Sequence, residues 1–412
     1  MSAIRRMGGI NSKVKPDIKS LGEEELRAQF AEWQQPEYRV GQLLEWLYGR
    51  RVTDWDAMTN LPKSLRDQLR EGYSLQTLEL VRKQGSADTT QKFLWRLADH
   101  SLIESVLIPA NPALYGEASD RHTLCVSTQV GCAYGCKFCA SGLEGLKRNL
   151  GVNEIVEQVL ATERWGVSSF PTSPRKRDDG EAGKFQVSSG EKTAGHLETS
   201  KLKQKNRFVD NLVIMGMGEP LANYPNLLKA LKILNAPWGG GIGARKITIS
   251  TSGLAPQIRM LADEPLQFRL AISLHGATDE TRNKIMPVNR KYPLAELTAA
   301  GEYYQQKKER MITLEYILIA GVNDGLDQVK PLAQLAQRLQ AKVNLIPYNR
   351  VEGLDWERPA DAVSEGFLAA LEKHKTIATL RREKGHDIDA ACGQLRLKTE
   401  REEKKGPVNS KQ

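Results

Sequence analysis

Residues 123–139 read Thr123-Leu124-Cys125-Val126-Ser127-Thr128-Gln129-Val130-Gly131-Cys132-Ala133-Tyr134-Gly135-Cys136-Lys137-Phe138-Cys139. The first six residues mix β-branched and small apolar side chains, which predicts a strand. The remainder is a glycine-bent loop with three thiols in a C-x3-C-x2-C spacing. A strand that delivers soft ligands at its carboxyl end is the first half of a strand-helix unit. The text downstream repeats that unit. Further strands are predicted at Phe208 to Met215, Lys246 to Thr251, Phe268 to Leu274, Ile312 to Ile319 and Val343 to Pro347. Helices are predicted at Glu154 to Trp165 behind Asn153 as N-cap, Tyr224 to Leu234, Leu294 to Arg310 and Leu326 to Leu339. Strand alternating with helix six times predicts an α/β fold with a parallel sheet, curled by its right-handed crossovers into a partial (β/α)6 barrel.

Upstream lies different text. Residues 1–19 are polar and read as a flexible arm. Ser20-Leu21-Gly22-Glu23 has capping-box spacing and opens a first helix. A second is predicted from Arg39 to Arg50 and a third after Pro62. Strand-like runs at Lys92 to Leu97 and Ser101 to Pro109 complete a small N-terminal helical domain with a strand pair, over residues 20–110. The barrel is expected over 111–395, interrupted by 171–206, a stretch nearly free of large apolar groups that reads as a disordered insertion. The residues 396–412 read as a flexible tail.

The chain has 412 residues, 40 % hydrophobic and 26 % charged, the balance of a globular protein of two or three domains. No apolar run approaches a membrane span, and the N-terminus lacks the apolar core of a secretory signal, so a cytoplasmic protein is expected. The net charge of +9 fits a polyanionic partner or plain solubility. It is concentrated in three places: five basic against one acidic side chain in 1–19, eight against five in 171–206, and six against three in 396–412. The remainder is about neutral. The excess therefore predicts salt-dependent, sequence-independent attraction to a polyanion by mobile arms, not a basic surface on the folded remainder.

Five cysteines, three of them within eight residues, are no disulfide framework. Cys132, Cys136 and Cys139 suit iron-sulfur or zinc. A structural zinc site needs a fourth ligand, such as His122 or His275. A [4Fe-4S] cubane held by three cysteines keeps one iron open to a small molecule. The remaining polar punctuation falls at the carboxyl ends of predicted strands, where barrel enzymes place their sites. It comprises Gly216-Met217-Gly218-Glu219-Pro220, Ser250-Thr251-Ser252, Ser273-Leu274-His275 and Asn349. Singly, Gly218 is a loop glycine, Ser250 a cap and His275 a core histidine; together they mark one rim.

These motifs resemble the radical S-adenosylmethionine superfamily. With Cys125, Met215-Gly216-Met217-Gly218-Glu219-Pro220, Ser250-Thr251-Ser252-Gly253, Ile346-Pro347-Tyr348-Asn349 and Ala390-Ala391-Cys392-Gly393-Gln394-Leu395, they resemble more closely the RlmN/Cfr family of RNA adenine methyltransferases, from about residue 20 to 395. The resemblance implies that Cys132, Cys136 and Cys139 ligate a [4Fe-4S] cluster whose open iron takes S-adenosylmethionine. Gly218, Glu219, Ser250, Ser273, Leu274, His275 and Asn349 would be the cofactor contacts. It implies further that Cys392 is methylated by polar displacement. A 5′-deoxyadenosyl radical from a second S-adenosylmethionine then removes a hydrogen from that methyl group, and the carbon adds to the adenine ring. Glu104 would be the proton acceptor, and Cys125 would resolve the protein-RNA adduct by a disulfide with Cys392. Otherwise Cys125 is a small buried strand residue, Cys392 an incidental loop thiol and Glu104 a solvent-facing edge residue. The implied substrates are 23S rRNA and tRNA, with a reducing electron-transfer protein as partner and a monomeric state. Two rivals stand: C8 instead of C2 as the methylated carbon, and a non-catalytic RNA-binding protein with a structural metal site.

Overall fold

The computed structural model describes residues 15–86, 90–109, 121–169, 207–381 and 393–405. Order begins before the anticipated Ser20. Asp17, Ile18 and Lys19 are buried, and the Lys19 ammonium lies 3.3 Å from Asp17 and 3.5 Å from Glu157, so this end of the expected arm is part of the core. Helices α1 (Glu23–Glu32), α2 (Tyr38–Leu44) and α3 (Lys63–Gly72) follow. The cap of α1 is Gly22, not Ser20, because the Glu25 carboxylate accepts the Gly22 N–H at 2.7 Å. One wider helical turn, Glu45–Gly49, prolongs α2. Pro62 precedes α3, whose Leu65 and Leu69 are buried.

Where a strand pair is expected, three strands form an antiparallel meander: β1 (Glu79–Gly85), β2 (Gln91–Arg96) and β3 (Leu102–Pro109). It is not a separate sheet. β3 pairs antiparallel with β4 (His122–Cys125), so the expected boundary at 110 falls inside one continuous sheet. After β4 the cysteine loop is carried by a hairpin, β5 (Gln129–Gly131) with β6 (Leu146–Asn149), and then comes α4 (Val152–Ser169). Helix α4 starts one residue before Asn153, the expected cap. That side chain instead meets Ser20 and Gln76.

The alternation continues as β7 (Asn211–Ile214), α5 (Tyr224–Asn235), β8 (Ile247–Thr251), α6 (Ala255–Asp263), β9 (Arg269–Ser273), α7 (Asp279–Ile285), α8 (Leu294–Lys308), β10 (Ile312–Leu318), α9 (Val329–Arg338), β11 (Ala341–Pro347), α10 (Asp361–Lys373) and β12 (Ala378–Leu380). All six anticipated strands are present, and β4, β7, β8, β9, β10, β11 and β12 pair parallel in that order. The described sheet is open, with β1 and β12 at its edges. Strands such as Arg269–Ser273 are buried over most of their length, as a parallel sheet under crossover helices demands. Each helix buries one stripe: Leu227, Leu231, Ile233 and Leu234 of α5 contribute about 1.5–3 kcal/mol apiece.

The expected C-terminal tail is corrected most sharply. Residues Gln394–Lys405 form a helix, α11, with Leu395, Arg396 and Leu397 buried. Its lysines and glutamates hide one short apolar patch that packs Leu395 against Leu94 and Leu102. The anticipated insertion 171–206, most of the arm and the residues after 405 lie outside the described residues.

Candidate active site

The register of β2, β3 and β4 decides which side chains share a face. Glu104 stands opposite Leu94, and Val106 stands opposite both Lys92 and Cys125. Since paired residues and residues two apart point the same way, Lys92, Glu104 and Cys125 project from one face. Phe93, Trp95, Ile103 and Leu124 project from the other, into the main core. Glu104 is 3 % exposed, which excludes the solvent-facing edge reading. Its carboxylate pairs with the fully buried Lys92 ammonium at 2.9 Å and accepts the Gly393 and Arg396 N–H groups, each at 2.7 Å. It thus caps α11 from another element, with its charge at the positive end of the helix dipole. Cys392 itself lies outside the described residues. Gly393, next to it, has φ +86°, and a Cβ there would lie 2.9 Å from Ser141 Oγ, so the chain passes hard against the segment just after Cys139.

The cysteine loop is held at several points. Gly131 has φ +77°, and a Cβ on it would sit 2.0 Å from the Gly145 carbonyl oxygen, which accepts the Cys132 N–H at 3.0 Å. The Lys137 N–H donates to Ile285 at 2.9 Å and the Trp356 indole donates to the Lys137 carbonyl at 2.8 Å. Burial pushes the Cys132 thiol up to about 11 and the Cys136 thiol higher still, with Cys139 adding to both. Ligation of a metal by these thiols would therefore release protons.

The Gly218–Glu219 turn is tied to the same loop. The Glu219 N–H donates to Gln129 Oε1 at 2.8 Å, and the Ser127 hydroxyl accepts the Met217 N–H at 2.9 Å while donating to the Glu104 carbonyl at 2.6 Å. Gln158 of α4 fastens this region by accepting from Ser105 and Ser127. The Glu219 carboxyl accepts the Ser252 N–H at 2.6 Å and the Leu221 N–H at 3.1 Å. Burial raises it above the ordinary carboxylate range, against the Ser252 contact, which lowers it. The Ser250 and Ser273 hydroxyls meet at 3.3 Å. Leu274 is buried and donates its N–H to the Glu315 carbonyl. His275 is buried with φ +56°; its Nδ1 accepts the Ile317 N–H at 3.0 Å, leaving the ring proton on Nε2, and Phe138 stands edge-on to its ring. Asn349 is half-buried two residues beyond β11.

Three residues escaped sequence reasoning. Glu315 of β10 stands opposite Ser273 and accepts from Asn344 at 2.7 Å, which extends the row Ser250, Ser273, Glu315, Asn344 across four strands. Arg282 is completely buried and donates to the Ser252, Ser273 and Leu274 carbonyls, so it joins the ends of β8 and β9. The signal available was a carboxylate inside the run Ile312-Thr313-Leu314-Glu315-Tyr316-Ile317-Leu318, where a buried parallel strand should be apolar. Arg282 had none.

Among the described residues no three of His, Cys, Asp and Glu converge on a single ion. The donor set itself, three soft thiols on one loop, is that of a cubane with one iron left open. The Ser252 hydroxyl, after β8 beside the Glu219 carboxyl, and the Tyr348 hydroxyl, after β11 beside the Val351 amide, are buried on the same rim, and Tyr348 also feels the charge of Cys139. These suit a bound molecule with several polar groups.

Comparison with known proteins agrees with this geometry. Residues 17–75 match the ribosomal RNA large subunit methyltransferase N-terminal domain, and residues 196–335 match the radical SAM superfamily, a match that begins after the cysteine loop. The chain is 52 % identical over 388 residues to a probable dual-specificity RNA methyltransferase RlmN 3 of Opitutus terrae, covering 94 % of this chain and 96 % of that one. It is 44 % identical over 401 residues to a probable dual-specificity RNA methyltransferase RlmN of Geobacillus kaustophilus, covering 97 % and 98 %. A crystal structure of a radical SAM methyltransferase from Sphaerobacter thermophilus superposes with a TM-score of 0.78 at 38 % identity, over 92 % of this chain and 98 % of the other.

Proposed function

Since the chain belongs to the RlmN family of radical SAM RNA methyltransferases, we propose that it methylates C2 of adenosine in 23S rRNA and tRNA through a methylated Cys392 and a protein-RNA covalent intermediate. That it is an S-adenosylmethionine-dependent RNA methyltransferase with a [4Fe-4S] cluster follows from the family. The finer reading is carried by one observation. The Glu104 carboxylate grips Gly393, the neighbour of Cys392, on the sheet face that also bears Cys125.

Cys132, Cys136 and Cys139 would hold the cluster, and Gly218, Glu219, Ser250, Ser273, Leu274, His275 and Asn349 the cofactor. When bound, these groups supply a methyl group and a hydrogen-abstracting radical, with two S-adenosylmethionine molecules used per turnover. Cys392 takes the methyl group on its sulfur and carries it into a bond with the adenine carbon, a position too electron-poor to attack a sulfonium directly. Glu104 accepts the proton released from the adduct once the Gly393 and Arg396 amides exchange off it. Cys125, as a thiolate, would then attack the Cys392 sulfur: the S–S bond forms, the C–S bond breaks with its electron pair left on the base-bound carbon, and that carbon takes up a proton to become the methyl group. The N-terminal helices and the meander that joins the main sheet, within residues 20–110, bind RNA, a reducing protein supplies electrons, and the chain acts as a monomer in the cytoplasm.

The test is mass spectrometry of digested RNA after anaerobic turnover. The expected product is 2-methyladenosine; 8-methyladenosine would replace the C2 assignment with C8. Cys392→Ala abolishes product and protein-bound methyl, whereas Cys125→Ala retains RNA cross-linked to protein. Undiminished turnover by Cys392→Ala would remove the two-step route.

A further inference from the structure

Arg282 is completely buried on α7, and all of its partners are neutral. Its Nε donates to Asn289 Oδ1 at 2.9 Å, and its terminal nitrogens donate to the Ser273 carbonyl at 3.0 Å and to the Leu274 and Ser252 carbonyls, with Met286 sulfur at 3.4 Å. Among the described residues no carboxylate stands within ion-pair distance. Asp279 lies behind Asn289, holding that amide at 2.8 Å and the Leu294 N–H at 2.9 Å. Burial pulls Arg282 down to about 10, so it remains a cation at neutral pH. A buried cation whose direct partners are all dipoles, with the Asp279 carboxylate acting on it only from behind Asn289, is a poor arrangement unless an anion completes the site.

The cysteine loop adjoins this cation. The cysteine loop is bonded to the last residue of the same helix, Lys137 N–H to the Ile285 carbonyl, and Arg282 and Cys136 each lie within the other's field. Phe138, between two of the thiols in sequence, packs on His275, whose neighbour Leu274 is one of the carbonyls Arg282 holds. An oxidised [4Fe-4S] cubane with three thiolates carries one net negative charge, and the electron it takes from a reductant adds a second.

We propose that Arg282 is the fixed counter-cation of the cluster bound by Cys132, Cys136 and Cys139, and that its charge raises the cluster's reduction potential. The proposal rests on the reading of that loop as a [4Fe-4S] site. In a low-dielectric interior a fixed positive charge favours the more negative of two redox states. Arg282 therefore eases entry of the electron on which the chemistry depends, and it does so from hydrogen bonds to the ends of β8 and β9, which keep it from moving toward solvent. It is a positioning residue, since it acts through charge and through the rim.

Wild type, Arg282→Lys and Arg282→Gln are reconstituted anaerobically, assayed for iron and sulfide, and titrated with dithionite under electron paramagnetic resonance. The expected result is about four irons per chain in each. At fixed potential the reduced-to-oxidised ratio of Arg282→Gln falls about tenfold, about 59 mV for a one-electron couple, while Arg282→Lys stays with the wild type. Equal potentials in all three overturn the proposal. An equal shift in both variants also overturns it, because the lost carbonyl clamp would then be the cause. Should Arg282→Gln alone fail to load, the charge is needed at assembly and the proposal stands; should Arg282→Lys fail too, it falls. Wild-type protein with a single zinc removes the cluster reading itself.

Discussion

At the scale of single residues, buried titratable groups link the site to pH. His275 is held down to about 3, by burial first and by the charge of Arg282 second. Its folded-state value lies below the 6.5 of an unconstrained histidine, so between these values the unfolded chain binds the extra proton. The contribution of His275 is complete above pH 6.5 and is lost as pH falls toward 3, at up to about 1.4 kcal/mol per pH unit. Urea unfolding of wild type and His275→Gln from pH 4 to 7 should therefore show a steeper pH slope in the wild type. Parallel curves would mean that the ring titrates in the fold as it does in the unfolded chain. Glu219 and Glu315, both raised by burial, act with the opposite sign, so only the difference between the two proteins isolates the histidine.

At the scale of elements, α11 is the informative case. Its exposed ion pairs, Glu402 with Arg82, Glu403 with Arg96 and Glu400 with Lys147, are each worth no more than about 1 kcal/mol. Docking depends more on Leu395, on Arg396 between Glu144 and Glu400, and on the Glu104 cap. Gly393→Ala adds a Cβ that meets Ser141 and requires a positive φ that alanine resists by about 1 kcal/mol or more. The expected outcome is faster proteolytic cleavage between residues 393 and 405 with the rest of the chain intact. Cleavage at the wild-type rate would show that α11 docks without this close approach.

At the scale of the whole molecule, the N-terminal helices are fastened to the sheet domain by buried charge. Arg51 reaches Glu163 at 3.1 Å, and that carboxylate also accepts the Phe208 and Val209 N–H groups that lead into β7. The Tyr48 ring packs edge-on against Trp238, 5.4 Å between centroids. Removing Arg51 leaves Glu163 buried with less compensation, at a cost below that of a fully buried pair, about 3–5 kcal/mol, because Arg51 is partly exposed and Arg207 stays near. Arg51→Met should lower the unfolding midpoint and raise hydrogen exchange first in residues 17–75, as mass spectrometry of peptides reads directly. Uniform exchange over the whole chain would mean that the two parts do not separate. The charge distribution is also revised at this scale: residues 15–19, with two basic and one acidic side chain, and α11, with five basic and three acidic, belong to the folded body, so less of the basic excess lies outside it than composition implies.

By itself the sequence determined the six parallel strands, the helices Tyr224–Asn235 and Leu294–Lys308 within a few residues, and the grouping of three thiols on one loop after the first of those strands. These depend on local periodicity and on ligand spacing, which are written along the chain. It could not show that β3 joins β4, that residues 394–405 fold as a helix, or that Glu104 and Gly393, 289 positions apart, share a hydrogen bond. A polar helix with one small apolar patch looks like a tail until a partner surface covers that patch. A buried arginine looks like a surface residue until the ends of two strands close around it. Only the tertiary structure decides such matters, because burial and long-range pairing are properties of what the chain meets in space.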